Sequence, residues 1–208
     1  MTLDAFKNAL EKSPASLEQK AYSVLLWHTG VRKSEAFERI VDDAKLTEDL
    51  VILDFHKRKK GGEEVPPLNI PRGFFGVNAY LVPWIVEAQA LKPSWKRLYV
   101  QETTAATRTT AKGKTVTIKR RVGSEVKASW LFPNIASSTA WTVIKKLLGP
   151  EFYPHYLRLR KLSSIAKNPQ TRSLLHIKSV SGLKSLRAIE AYLGFDMETA
   201  DEAMRGSE

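Results

Sequence analysis

In the stretch Pro154-His155-Tyr156-Leu157-Arg158 an imidazole and a guanidinium stand three residues apart. On a helix that spacing puts both on one face, one turn apart, where they could reach a single phosphate. A second arginine, Arg32, sits in the turn Thr29-Gly30-Val31-Arg32-Lys33-Ser34-Glu35, and a run of cations, Lys57-Arg58-Lys59-Lys60, precedes Gly61-Gly62. Planar guanidinium groups match the non-bridging oxygens of a phosphodiester better than ammonium groups do, so these residue types suit chemistry in which negative charge builds on a phosphate. Other chemistries are poorly served. His28, His56, His155 and His176 include no pair at the i, i+4 spacing of a helical zinc site, no glycine-rich phosphate loop follows a strand, and there is no Cys. No metal, thiolate or nucleotide cofactor is therefore expected.

The charge balance agrees with a polyanionic partner. Thirty-three Lys and Arg oppose 22 Asp and Glu in 208 residues, a formal net charge of +11. Nucleic acid and an anionic membrane surface both fit such an excess. Placement is uneven, since 31–50 carries six anions against four cations, whereas 103–127 has seven cations against Glu125 and 155–192 has eight against Glu190. Two such one-sided segments could supply a phosphate-facing surface; solvated lysines are the plainer alternative. The apolar runs Val24–Trp27 and Tyr80–Val86 fall far short of the roughly 20 residues a membrane helix needs, and MTLDAFKNALEK has no signal-peptide core. A soluble, cytoplasmic chain is expected, and one domain suits its length.

The elements that must position these groups are partly legible. Leu3, Phe6 and Leu10 predict a short amphipathic helix ending before Ser13-Pro14. Ser16 with Gln19 forms a capping-box pattern for a helix running to about His28, and Gly30 is placed to stop it. A helix from Lys33 to about Val41 should follow. Residues 50–58 and 63–70 read as a hairpin around Lys59-Lys60-Gly61-Gly62, with Pro66-Pro67 confining the second strand to an edge or shortening it. Further helices are expected at 80–91, from Ser137 to Leu148 and from 155 to Lys167, and the Thr/Lys-rich stretch 97–131 as a basic ribbon or partly ordered loop.

With these pieces in order, the chain resembles the catalytic domain of the tyrosine recombinases, or phage integrases, over about 16–195. The family carries an arginine in a T-G-x-R-x-S-E turn, a lysine on a hairpin ending in V-P-L, an H-x-L-R helix and a distal tyrosine. Here stand Thr29 to Glu35, Lys59-Lys60-Gly61 ahead of Pro67-Leu68, His155 to Arg158, and Tyr192 nine residues after Leu183. The resemblance implies an α+β fold, mostly helical with a small antiparallel sheet, and cleavage and rejoining of DNA through a 3′-phosphotyrosyl intermediate. It makes Arg32 and Arg158 the phosphate clamp, has His155 assist the phosphate or the tyrosine proton, and makes Lys59 the general acid and Tyr192 the nucleophile. Lys57, Arg58, Lys60, Lys119, Arg120, Arg121, Arg160 and Lys184 are the expected DNA contacts. The partner is double-stranded DNA, bound by a homotetramer coupled through a C-terminal tail in which Met197, Ala200 and Met204 would line one helix face. A viral or plasmid integrase of a thermophilic archaeon would fit the absence of Cys and the low Asn and Gln content.

Each assignment has a plainer alternative. Arg32 could simply pair with Glu35, His155 could be an ordinary first-turn residue behind Pro154, Lys59 competes with its neighbours, and Tyr192 follows the apolar stripe Leu183, Leu186 and Ile189. The chain departs from the family at Leu183, where a histidine normally donates to the scissile phosphate. Leucine cannot donate, and losing one such donor costs ~3 kcal/mol of transition-state stabilisation. Lys184 or Lys178 could substitute. The family's separate N-terminal helical domain has no counterpart in the roughly fifteen residues before the match. A non-catalytic DNA-binding module and a type IB topoisomerase are the competing readings.

Overall fold

Helix α1 (Leu3–Lys12) opens the chain, with the Thr2 side chain accepting from Ala5 N–H at its start. It buries Phe6 and Leu10 and leaves its polar side to solvent. Helix α2 (Leu17–Thr29) starts at the expected capping box: Ser16 Oγ accepts from Gln19 N–H, and Gln19 Oε1 accepts from Ser16 N–H. It ends at Gly30, whose φ of 62° is left-handed, a conformation glycine adopts without a Cβ penalty. The computed structural model describes residues 1–54, 67–109, 113, 115–136 and 138–167.

Helix α2 is the core of the fold and is apolar nearly all round. Ala21, Tyr22, Val24, Leu25, Leu26 and Trp27 are all buried, so other elements must surround it. Trp27 stacks on Phe6 of α1 with centroids 4.0 Å apart. Opposite, a π-helical turn (Val77–Leu81) leads into α4 (Val82–Gln89), with Pro83 in its first turn. At Gly76 a Cβ would lie 2.7 Å from Val24 Cγ2, so that turn reaches α2 only because the side chain is missing. Glu18, also buried, accepts from the backbone N–H and side-chain amide of Asn134 and ties α2 to the 131–135 segment. Trp84 Nε1 donates to Leu131 O at 2.7 Å from the far side.

Three short strands, β1 (Ala44–Leu46), β2 (Leu50–Leu53) and β3 (Leu68–Pro71), form an antiparallel sheet in the order β1-β2-β3. The fold is thus α+β, mostly helical with a small antiparallel sheet, as the resemblance implied. The pairing Leu53↔Leu68 brings together the ends of the expected hairpin, whose tip falls outside the described residues. The second strand begins only after Pro66-Pro67, shorter than the expected 63–70, and lies at the sheet edge. Strands β4 (Ser94–Thr109) and β5 (Thr115–Ala128) pair separately as a long antiparallel ribbon with a register shift between Val100 and Thr103. The basic segment 97–131 lies mostly in this ribbon. Helices α5 (Ala140–Leu148) and α6 (Pro154–Lys167) complete the described chain.

Two helices differ from expectation. The helix expected over Lys33 to Val41 is only α3 (Lys33–Phe37). Ile40 instead bridges Trp130, Val41 N–H donates to Ser129 O and Leu131 N–H donates to Arg39 O. Backbone partners ninety residues away pull Ile40 into an extended conformation ahead of a 3-10 turn at Val41–Asp43, which local periodicity cannot register. Helix α5 starts at Ala140 instead of Ser137, after a turn in which Thr139 N–H donates to Ala136 O.

Candidate active site

The turn after α2 is built around Glu35. Its two carboxylate oxygens accept from the backbone N–H and from Nη1 of Arg32, each at 2.7 Å. This pair holds the start of α3 and orients the guanidinium, so the plainer pairing is present. It does not use up the group, because a guanidinium has five N–H donors and, among the described residues, Glu35 is the only side-chain partner of Arg32. The Arg32 side chain is 22% exposed.

Arg158 arrives at the same turn from far along the chain. Its Nη1 donates to Gly30 O at 2.6 Å, across 128 residues. The approach depends on Gly30, where a Cβ would lie 3.0 Å from Lys161 Cβ and 3.6 Å from Arg158 Cα. The two arginines of the expected clamp therefore converge on one turn, Gly30 to Arg32. Arg158 is only 2% exposed. His155 is exposed on the first turn of α6, one turn before Arg158. The other tyrosines of this region are engaged: the ring of Tyr153 stacks on Trp141 with centroids 5.0 Å apart, and Tyr156 Oη accepts from the N-terminal ammonium of Met1 at 3.0 Å.

Lys57, Arg58, Lys59, Lys60, Lys184 and Tyr192 lie outside the described residues, as do Leu183 and the C-terminal tail. Lys119, Arg120 and Arg121 are placed on β5 opposite Ala105, Thr104 and Thr103. Arg160 is half-buried, with its guanidinium over the Trp27 ring at 3.4 Å and Nε donating to Met1 O. It is thus engaged with the protein's own N-terminus and α2.

One positioning residue escaped the sequence reading. Arg39, 8% exposed, donates from Nε to Glu35 O and from Nη1 to Asp54 O, and lies 3.5 Å from the Asp43 carboxylate. It fastens the end of α3 to the exit of β2, the point from which the chain departs toward Lys57–Lys60. The spacing Glu35, Arg39, Asp43, four residues each, was the available signal, but only the fold shows that these groups turn inward. Among the described residues no cluster of His, Cys, Asp or Glu could hold a metal ion, and no helix is long and apolar enough to cross a membrane.

No protein-family model matches the sequence, and no curated protein does. Solved structures do match. The chain is similar to the XerH site-specific recombinase bound to its difH substrate in a pre-cleavage complex, at 19% identity and a TM-score of 0.59, over 96% of this chain and 50% of that one. The post-cleavage complex with palindromic difH gives 19% identity and a TM-score of 0.61 over 97% and 50%. XerA recombinase gives 16% identity and a TM-score of 0.61 over 100% and 63%. The chain has the fold of these tyrosine recombinases, and it spans from half to under two thirds of the length of each.

Proposed function

We propose that this chain is a site-specific DNA recombinase that cleaves and rejoins strands through a 3′-phosphotyrosyl intermediate, with Tyr192 as nucleophile. The observation that carries the reading is the meeting of α6 with the Gly30–Arg32 turn through the bond from Arg158 to Gly30 O. That bond brings α6 to the turn that carries Arg32, and on this reading the two arginines would clamp the non-bridging oxygens of a single phosphate. His155, exposed one turn before Arg158, assists at the same phosphate, and Lys59, in the segment between β2 and β3, supplies the proton for the leaving 5′-oxygen. The aryl phosphate ester conserves the bond energy for religation, so no cofactor is required. The fold supports this reading, because the XerH structures capture that recombinase with its substrate before and after cleavage. Lys57, Arg58, Lys60, Lys119, Arg120, Arg121, Arg160 and Lys184 would add phosphate contacts, and the tail around Met197 to Met204 would couple protomers of a tetramer.

Two observations favour a second reading, a non-catalytic DNA-binding module of the same fold. Leu183 cannot donate to a phosphate, and Arg158 is buried. A nicked suicide duplex carrying the cognate site decides between them. Covalent protein–DNA adduct from the parent, absent from Tyr192→Phe while binding persists, is the expected result. An adduct that persists in that variant would move the nucleophile elsewhere, and no adduct from the parent on a bound site would favour the non-catalytic module.

A further inference from the structure

A cleft of about 610 Å³ is lined by Lys7 of α1, Trp27 and His28 of α2, Phe74 and Phe75, and Arg160 and Lys161 of α6, among others. That is the size of pocket that takes a small organic ligand. Its lining combines two features. Three cations face it and no carboxylate lines it; Lys7 is loosely paired with Asp4 at 3.8 Å, which leaves Arg160 and Lys161 as the pair without a counterion among the described residues. Lys161 and Arg160 are partly withdrawn from water, and no ion pair is formed by either among the described residues. The Lys161 ammonium is easier to deprotonate than usual, first through burial and second through the neighbouring Arg160. The second feature is a flat apolar wall. The Phe74 ring is 45% exposed, and His28 lies against it with centroids 5.1 Å apart. The Nε2 atom of His28 is committed to Phe75 O at 2.9 Å, so the imidazole is fixed in place as part of the wall.

We propose that this cleft binds a nucleoside monophosphate unit, its phosphate on Lys161, Arg160 and Lys7 and its base against Phe74. An anion relieves the mutual repulsion of the cations and is held by charge-assisted hydrogen bonds. A base stacks on the exposed ring whatever its identity. No glycine-rich loop is needed, because side chains and not backbone N–H groups supply the donors. The unit comes either free in solution or as part of a DNA strand. The site itself does not depend on strand cleavage. Lys161 connects the cleft to the catalytic turn, since its Cβ packs against Gly30, whose carbonyl holds Arg158.

Isothermal titration of the full chain with adenosine monophosphate, inorganic phosphate and adenosine tests the proposal. Saturable binding of the monophosphate is expected, with phosphate alone weaker and adenosine weakest. Lys161→Gln, which keeps the stem against Gly30, should weaken the monophosphate about tenfold, as loss of one charged contact does. Phe74→Ser should lower it to the level of inorganic phosphate. Lys7→Gln, at a partly exposed position of α1, gives a smaller loss in a variant that risks little of the fold. Displacement of the monophosphate by a short intact duplex, lost in Lys161→Gln, would assign the source to DNA, and no displacement would assign it to the free nucleotide; both support the site. No saturable binding to the parent, or equal binding to the parent and to variants still folded by circular dichroism, overturns it. Covalent adduct formation from the suicide duplex is scored separately, so failure here leaves the recombinase reading untouched.

Discussion

Gly30→Ala probes the contact on which the site is built. The residue is left-handed, with φ of 62° and ψ of 21°, and a Cβ there costs about 1–2 kcal/mol in backbone energy alone. The new methyl would also stand 3.0 Å from Lys161 Cβ and 3.2 Å from Lys161 Cγ. Neither is the free end of a side chain, so α6 itself must give way by a few tenths of an ångström, and overpacking of this kind costs about 1 kcal/mol or more. The sum is at least about 2 kcal/mol, a fall in Tm of about 4–8 °C for a chain of this length. Because Arg158 Cα is also within 3.6 Å, the shift lengthens the 2.6 Å bond from Arg158 to Gly30 O and displaces the guanidinium. Single-turnover cleavage should then slow about tenfold, since an ångström of misplacement costs about a hundredfold. Gly113→Ala is the control: its φ of 70° is similar, but nothing lies within 4 Å of the new methyl, so it should lose only the backbone energy and cleave normally. Thermal unfolding and suicide-substrate cleavage measured on both variants check the reasoning. Parental stability and cleavage in Gly30→Ala, or equal losses in both variants, would refute the claim that close packing of α6 on the turn matters.

Arg32→Ala and Arg158→Ala should each slow cleavage by about 10²–10³-fold with DNA affinity largely kept, and Arg32→Lys should not recover the rate because an ammonium cannot make the bidentate contact; normal cleavage in either alanine variant would remove that residue from the clamp. Burial, opposed by the two hydrogen bonds from Asn134, raises the Glu18 carboxyl above its ordinary value of 4.5. A carboxyl raised on folding contributes stability that is present below its unfolded pKa and lost as pH rises through the folded one. Glu18→Gln should therefore gain stability relative to the parent between about pH 4 and pH 7, and denaturant midpoints that keep a constant difference across that range would show that the burial term is absent. Replacing Lys119, Arg120 and Arg121 together should flatten the slope of log affinity against log salt by roughly 2–3 units at any DNA sequence, and an unchanged slope would mean that the β4–β5 ribbon does not face the phosphates.

What the sequence determined by itself is local. Helices α1 and α2 were legible from close neighbours: the spacing of Leu3, Phe6 and Leu10 ahead of Ser13-Pro14, the bond between Ser16 and Gln19 and the left-handed Gly30 are all local. Pro66-Pro67 marked where the second strand would be shortened or kept to an edge, and β3 begins at Leu68 on the sheet edge. The catalytic candidates were legible as types and order, through motifs that each occupy a few consecutive residues. What only the tertiary structure decided is what comes from far along the chain. Helix α3 stops at Phe37 because 129–131 offers Arg39, Ile40 and Val41 backbone partners that a continued helix would have had to refuse. Arg39 is a buried brace because Asp54 O and Asp43 close around it, although its charge alone suggests a solvated side chain. Arg160 was read as one cation among many facing DNA, and in the structure it lies flat on Trp27 and lines a cleft that joins α1, α2 and α6. The physical reason is one and the same: a hydrogen bond within a turn is paid for by ordering a few residues, whereas the meeting of Arg158 with Gly30 exists only once the core around α2 has closed the 128 residues between them.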